Sequence, residues 1–567
     1  MSRTTNLNPA DLSQVKEAYR ELFTNTIGDC ADLEQWLVSW SALEFELSES
    51  YSRRYIAMYC DTVDTAKEAA FLHVVREIEP ERSRSNYELR QRFLSSPFRA
   101  QLPSSRYARL VTIFEARQRV FDPRNVALEV EERELVQRYQ KACGALTVSF
   151  QGQTLTVPDT CAKFMQLSRS DREQLWRLVW EVRRGLADET DAIFSELMRV
   201  RARMAQQAGF GSYIEYRFQS LNRFDYSPDD CREFHHSIAR HIAPLARRLY
   251  EEQRSKLGVE QLRPWDVGAG RLFEVVVPAS HSEPGLSLDT AGIMKAATTL
   301  LTYIRPQFAE TLTDMDRRGE LDLPSRPGKG PGAFMQGLEK SNRPFIFMNA
   351  AGIEEDLFVL LHEFGHAVHC LELVGEPLSA YRDAGMEICE VASTSMELFS
   401  FSHLEKVMPK ALARHLRTSH LRKFVLFFCY LAQVDAFQLW IYEHPEHTQT
   451  ERRAQWSALE VQFGGPFDWS GIEAYREVFW QQQLHIIEFP FYYVEYGIAQ
   501  LGALQLMQRQ RRLGSKAIDD YLSALRLGAS RALPELFQAA GIAFDFSDRV
   551  VAELAHSLEA ELARNVG

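Results

Sequence analysis

Apolar residues recur at helical spacing over most of the chain. From about residue 10 to 140 they follow the three- and four-residue period of amphipathic helices. Gln35-Trp36-Leu37-Val38-Ser39-Trp40 and Phe71-Leu72-His73-Val74-Val75 put large side chains on core faces. The period becomes two over Leu146–Val157, around Gly152, which predicts a β-hairpin at 146–157. A boundary is expected just beyond it, near Ser168-Arg169-Ser170-Asp171, where Ser or Asp can cap the next helix. The chain then reads as an N-terminal helical lobe, residues 1–170, followed by a second part, residues 171–567.

In that second part a charged helical pattern runs from Arg172 to about Gln207 and breaks at Gly209-Phe210-Gly211. It resumes after Ser227-Pro228-Asp229-Asp230, a capping sequence with proline in the first turn. His235 and His236, adjacent on that helix, diverge and are read as surface or packing residues. Arg326-Pro327-Gly328-Lys329-Gly330-Pro331-Gly332 is read as a flexible turn without phosphate-loop spacing. Pro344-Phe345-Ile346-Phe347-Met348-Asn349 is a short apolar strand. Either it is fully buried, or it or a neighbouring strand binds a peptide by strand addition. The long apolar stretch Val425–Tyr442 is interrupted by Gln433, Asp435 and Gln438 and reads as a buried helix, not a membrane span. Towards the end, Pro490 marks a helix start after His485, with Tyr493 and Tyr496 on one face.

Composition narrows the function classes. The 567 residues carry 65 Lys and Arg against 77 Asp and Glu, a net charge of −12, without long blocks of one sign. That argues against a general nucleic-acid partner and, with no second apolar run, against a membrane one. The first residues lack the apolar core of a signal peptide. The eight cysteines form no Cys-x-x-Cys, so neither a disulfide framework nor a cysteine metal site is indicated. A cytoplasmic location is expected.

One stretch carries chemistry: Leu361-His362-Glu363-Phe364-Gly365-His366-Ala367-Val368-His369. Helix residues four apart share a face, so His362 and His366 can present two imidazoles to one metal ion, with Glu363 close enough to hold a metal-bound water. Apolar flanks predict that this helix is buried. Gly365 in its interior, at a penalty of about 1 kcal/mol, implies a close neighbour against the backbone. Glu354, Glu355 and Asp356 place acids in its first turn, which suits the helix dipole. A third ligand is expected from Met386-Glu387-Ile388-Cys389-Glu390-Val391-Ala392-Ser393-Thr394-Ser395-Met396-Glu397. Glu390 is the expected ligand, and Glu397, seven residues on, the acceptor that orients a ligand histidine.

These residues resemble a known family. His362-Glu363-Phe364-Gly365-His366-Ala367-Val368-His369 followed by Glu390-Val391-Ala392-Ser393-Thr394 is similar to the thimet oligopeptidase-like metallopeptidases, the oligoendopeptidase F branch most of all. Gly328–Phe334, Pro344–Asn349 and His485–Tyr496 also match, and the resemblance is specific from about Arg172 onward. It implies a mainly α fold with two helical lobes around a deep substrate channel and a small β-sheet beside the metal helix. It implies one Zn2+ per chain and endopeptidase action on short oligopeptides. It also implies transition-state donors from the region of His485, Tyr493 and Tyr496: Tyr496 the first choice, His485 the second, Tyr493 positioning substrate. Two other readings stay open. A metallocarboxypeptidase would need a cation to hold the substrate carboxylate. A non-catalytic peptide-binding protein with a structural zinc would have no use for Glu363.

Overall fold

The computed structural model describes residues 7–164, 167–268, 289–353 and 355–566. It is mainly α-helical, with two small sheets among the described residues. The residues form two compact units that cut across the division at 170. One comprises Met1–Arg119, Gly285–Ala413 and Gly502–Phe544; the other Val120–Pro284, Arg414–Leu501 and Asp545–Gly567.

In the first unit the long helix α1 (Cys30–Cys60) packs on a three-stranded sheet, which is why the first 119 residues join this unit. Tyr55 and Tyr59 of α1 lie against Phe334, with ring centroids 5.1 and 5.4 Å apart, and Gln336 Nε2 donates to Ser52 Oγ at 2.9 Å. The strands are β1 (Leu321–Pro324), β2 (Phe334–Leu338) and β3 (Arg343–Ala350), in spatial order β1-β3-β2. β3 runs parallel to β1 and antiparallel to β2, with Met335 opposite Ile346. The apolar segment 344–349 is thus the central strand, with both edges already paired. This excludes strand addition by 344–349 itself and leaves it to a neighbouring strand, since the outer strands β1 and β2 are each paired on one side only among the described residues.

The segment 326–332 is held, not flexible. The Lys329 side chain is fully buried. It donates to the carbonyls of Asp322 (2.9 Å), Pro324 (3.0 Å) and Met348 (2.5 Å) and pairs with the Asp322 carboxylate at 2.9 Å. A buried ammonium needs such a full set of acceptors. Helix α2 (Glu355–Glu372) packs against this sheet, and helix α3 (Met386–Ser400) lies along α2.

In the second unit, Thr147–Phe150 and Gln153–Thr156 form the expected antiparallel hairpin. Its turn residues Gln151 and Gly152 both have positive φ, 49° and 77°, as a two-residue hairpin loop requires. Ser168 and Ser227 cap their helices as read from the sequence. Val425–Tyr442 lies inside helix α4 (Lys410–Glu443), which is long and apolar enough to cross a membrane, yet its most apolar window is 83% buried in the protein. Its polar interruptions have internal work. Asp435 bonds His235 Nε2 at 2.9 Å, and Gln438 Oε1 accepts from the Phe491 backbone N–H at 2.7 Å. His235 is therefore a packing residue, while His236 is exposed.

Candidate active site

Helix α2 begins on a fixed turn. The Asp356 carboxylate accepts from the backbone N–H groups of Ala351, Gly352 and Ile353 at 2.7 to 3.0 Å, closing the connection from β3 into the helix. One and a half turns later come His362, Glu363 and His366. The neighbour implied by Gly365 is α3. A Cβ built on Gly365 would lie 2.6 Å from Ser393 Cα and 2.7 Å from the Ala392 carbonyl oxygen. This backbone-to-backbone approach brings Glu390, three residues before Ser393, to the two histidines.

Glu390 Oε2 is 3.4 Å from His362 Nε2 and 3.8 Å from His366 Nε2. His362, His366 and Glu390 offer ligand atoms that all lie within 4.8 Å of one another. Tetrahedral ligands about 2.0–2.1 Å from a zinc ion stand roughly 3.3–3.4 Å apart. The donor set and its spacing therefore fit such an ion. His362 Nδ1 is 2.7 Å from Glu397 Oε1. Nδ1 then carries the proton and Nε2 is left as the ligand atom, the usual way a carboxylate orients a metal-binding histidine. Glu390 is itself held by the Ser393 hydroxyl, which donates to Oε2 at 3.0 Å. Cys370 and Cys389 lie nearby in sequence, but neither joins the group.

The electrostatics of the site match a place for a cation. Burial opposes charge on His362, yet the carboxylates of Glu390 and Glu397 outweigh it and hold the imidazole well above its ordinary value. His366 is pushed down to about 4 by burial, with Glu390 opposing. For Glu390, burial raises the pKa, but the bond from His362 and the charges of both histidines prevail and bring it to about 2. A metal ion would take the place of the proton between His362 Nε2 and Glu390 Oε2, while the Nδ1 proton keeps its bond to Glu397. Glu363 is only 6% exposed. Burial pushes it up to about 7; His362 opposes, the two other carboxylates add to the rise, and a backbone hydrogen bond from Met335 of β2 lowers it again. A carboxyl titrating near neutrality is suited to taking and returning a proton.

The other expected site residues belong to the second unit, where they cluster. His485 lies in the single turn Leu484–Ile487, and helix α5 (Tyr493–Leu513) begins at Tyr493 itself, later than Pro490 suggests. Ring centroids of His485 lie 4.9 Å from Tyr493 and 6.0 Å from Tyr496, and the two tyrosines are 5.8 Å apart. Tyr493 is buried at 5%, whereas His485 and Tyr496 are partly exposed. Gln483 Nε2 bonds His485 Nδ1 at 2.7 Å, and Tyr430 donates to Gln483 Oε1.

Sequence reasoning missed what holds this cluster. Phe491 is completely buried and has a φ of 65°, a left-handed backbone that a bulky residue rarely adopts. Its N–H donates to Gln438, and Arg223 donates to its carbonyl. Arg201 donates to the Ile487 carbonyl at 2.5 Å and Arg217 to that of Pro490 at 3.2 Å. Arg223 also forms a buried ion pair with Glu495 at 2.6 Å. Three arginines and a glutamine thus fix the loop between His485 and Tyr493.

Comparison with known proteins adds the following. The Peptidase family M3 model matches residues 166–556, and the Peptidase M3 N-terminal domain model matches residues 4–121. Oligopeptidase PepF of Bacillus subtilis (strain 168) is 23% identical over 319 residues, covering 54% of this chain and 44% of that protein. An oligoendopeptidase F homolog of Lactococcus lactis subsp. lactis (strain IL1403) is 26% identical over 161 residues, 28% of this chain and 25% of that protein. The matches therefore span less than half the length of these curated relatives. Among solved structures, PZ peptidase A, determined with an inhibitor, superposes with a TM-score of 0.88 at 28% identity, covering 98% of this chain and 97% of that one.

Proposed function

Because the chain belongs to peptidase family M3, on its oligoendopeptidase F branch, we propose that it is a zinc-dependent endopeptidase hydrolysing internal bonds of short, unstructured oligopeptides. The observation that carries this reading is the convergence of His362, His366 and Glu390 with Glu363 beside them. His362 Nε2, His366 Nε2 and a Glu390 oxygen would hold one Zn2+ per chain. Such an ion supplies Lewis acidity towards the scissile carbonyl and lowers the pKa of water. Glu363 removes the proton from the attacking water and delivers it to the leaving amine. Met335 fixes the Glu363 carboxylate, and the free edge of β2, which carries Met335, pairs with the extended substrate backbone. Tyr496, with His485 second, donates a hydrogen bond to the developing oxyanion, and Tyr493 positions substrate. Residues 171–567 contain all of these groups, and residues 1–170 shape access to them. No disulfide joins the eight cysteines, which fits a reducing compartment, so we place the protein in the cytoplasm.

The test is incubation with a mixture of peptides of roughly five to twenty residues, with and without a chelator, read by mass spectrometry. Internal cleavage that stops with chelator and returns with zinc is the expected result. Release of C-terminal residues alone, lost on C-terminal amidation, would establish a carboxypeptidase instead. Peptide binding without any cleavage would establish a non-catalytic protein. Efficient digestion of a stably folded protein would overturn the substrate class.

A further inference from the structure

The first unit contains a cavity of about 360 Å³ that the proposed peptidase chemistry does not use. Helix α1 contributes Leu37 and Trp40 to its wall, and helix Ser104–Val120 contributes Leu110 and Phe114. The charged lining consists of four arginines and three carboxylates. Three arginines are matched. Arg82 Nε is 2.8 Å from Glu44, Arg117 is 2.6 Å from Asp383, and Arg382 is 3.5 Å from Glu339. The fourth, Arg90, has no hydrogen bond or ion pair among the described residues, and its Nε is fully buried without a partner.

A guanidinium carries five donors in a rigid fork and is costly to leave unpaired in a desolvated place. Burial, with the charge of Arg117 adding to it, pushes Arg90 down to about 10, the sign of a cation lacking its counter-ion. The three carboxylates in the wall repel a dianion, and of the four lining arginines Arg90 alone lacks a carboxylate partner among the described residues, Arg82 having Glu79 at 3.2 Å as well as Glu44. The carboxylate fork of a monoanion is the bidentate complement of a guanidinium, and the Leu37, Trp40, Leu110 and Phe114 side chains accept an apolar body.

We infer that this cavity binds a small monocarboxylate with an apolar side chain, of the size of an N-acylated amino acid, anchored bidentately by Arg90. The site is separate from the proposed metal centre, and the inference does not depend on the peptidase reading.

The probe is N-acetyl-L-phenylalanine, titrated calorimetrically into the full chain with and without a chelator. Saturable binding to one site per chain is expected, unchanged by the chelator. N-acetyl-L-phenylalaninamide, which lacks the anion, should bind at least about tenfold more weakly to the same wild-type protein. Arg90→Gln should weaken the acid by a similar factor and leave peptide hydrolysis unchanged. Arg90→Lys, which keeps the charge but loses the fork, should fall between the two and serves if Arg90→Gln does not fold. Equal affinity for acid and amide, no saturable binding, undiminished binding by Arg90→Gln, or binding abolished by the chelator would each overturn the inference.

Discussion

Replacing Gly365 by Ala tests the joint between the two helices that carry the proposed metal ligands. In an open helix the change would stabilise by about 1 kcal/mol. Here the added carbon would stand 2.6 Å from Ser393 Cα and 2.7 Å from the Ala392 oxygen, both backbone atoms with no rotamer to yield. Restoring an ordinary contact of 3.4 Å moves α3 away by about 0.8 Å (3.4 − 2.6). Such overpacking costs roughly 1–3 kcal/mol, enough to reverse the gain in helix propensity. The shift also strains the bond from the Tyr521 hydroxyl to the Ala392 carbonyl, 2.9 Å long. The larger consequence is at the proposed metal site, because Glu390 and Glu397 ride on α3 on either side of the contact. Ligand distances tolerate only about 0.2 Å, so zinc affinity should fall by at least about tenfold, as when an orienting partner of a ligand is lost. The assays are thermal unfolding and competitive zinc titration against a chelating dye. Gly185→Ala is the control, because its added carbon meets nothing within 4 Å. A Gly365→Ala protein with wild-type unfolding midpoint and wild-type zinc affinity would refute the packing argument.

The metal helix was legible because its signal is local. Two histidines four apart define one helix face wherever the helix is placed, and a glycine inside an apolar helix announces a close neighbour. The nearness of Glu390 and Glu397 to the two histidines was legible for the same reason, the two glutamates being seven apart on a second helix with enough chain between to turn back. The strand order was not. The apolar segment 344–349 reads equally well as an edge or a centre, and only its pairing with both Leu321–Pro324 and Phe334–Leu338 decides. Nor does glycine content distinguish a loose loop from one pinned by a buried lysine, as at Lys329, whose acceptors are mostly backbone carbonyls without a sequence signature. The brace around Phe491 was the least legible. Arg201, Arg217, Arg223 and Gln438 are far apart in the chain, and each alone looks like an ordinary polar residue of a helix. Pro490 reads as the first turn of a helix, but the chain makes a left-handed turn at Phe491, which delays the helix to Tyr493.

Three further outcomes are expected. Glu363→Gln should retain zinc while turnover collapses by about two to four orders of magnitude, measured as kcat on a quenched fluorescent peptide with metal content checked; near-normal turnover in zinc-replete protein would remove Glu363 from the mechanism. Tyr496→Phe should lower kcat by about two to three orders of magnitude at unchanged KM, zinc content and unfolding midpoint; an effect on KM alone would assign the hydroxyl to substrate binding. The last concerns acid stability. His369 is 4% exposed, and its Nε2 is buried without a hydrogen-bond partner among the described residues. Burial, with His366 adding, pushes it down to about 3 from an ordinary 6.5. Between those values the unfolded chain binds a proton that the folded protein refuses, so stability falls as the pH drops from 6.5 towards 3 and is fully present above 6.5. The shift corresponds to a loss on the order of 4 kcal/mol by the acid end of the window. Glu363, shifted the opposite way, works against this loss as the pH falls through 7 towards 4.5. His369→Met keeps a similar bulk and carries no proton, so it isolates the histidine. In chelator-treated protein the gap in unfolding midpoint between His369→Met and wild type should move in favour of the variant as the pH falls from 7 to 5. Parallel midpoints across that range would show that His369 takes up its proton as readily in the folded protein as in the unfolded chain, and that its burial does not govern its charge.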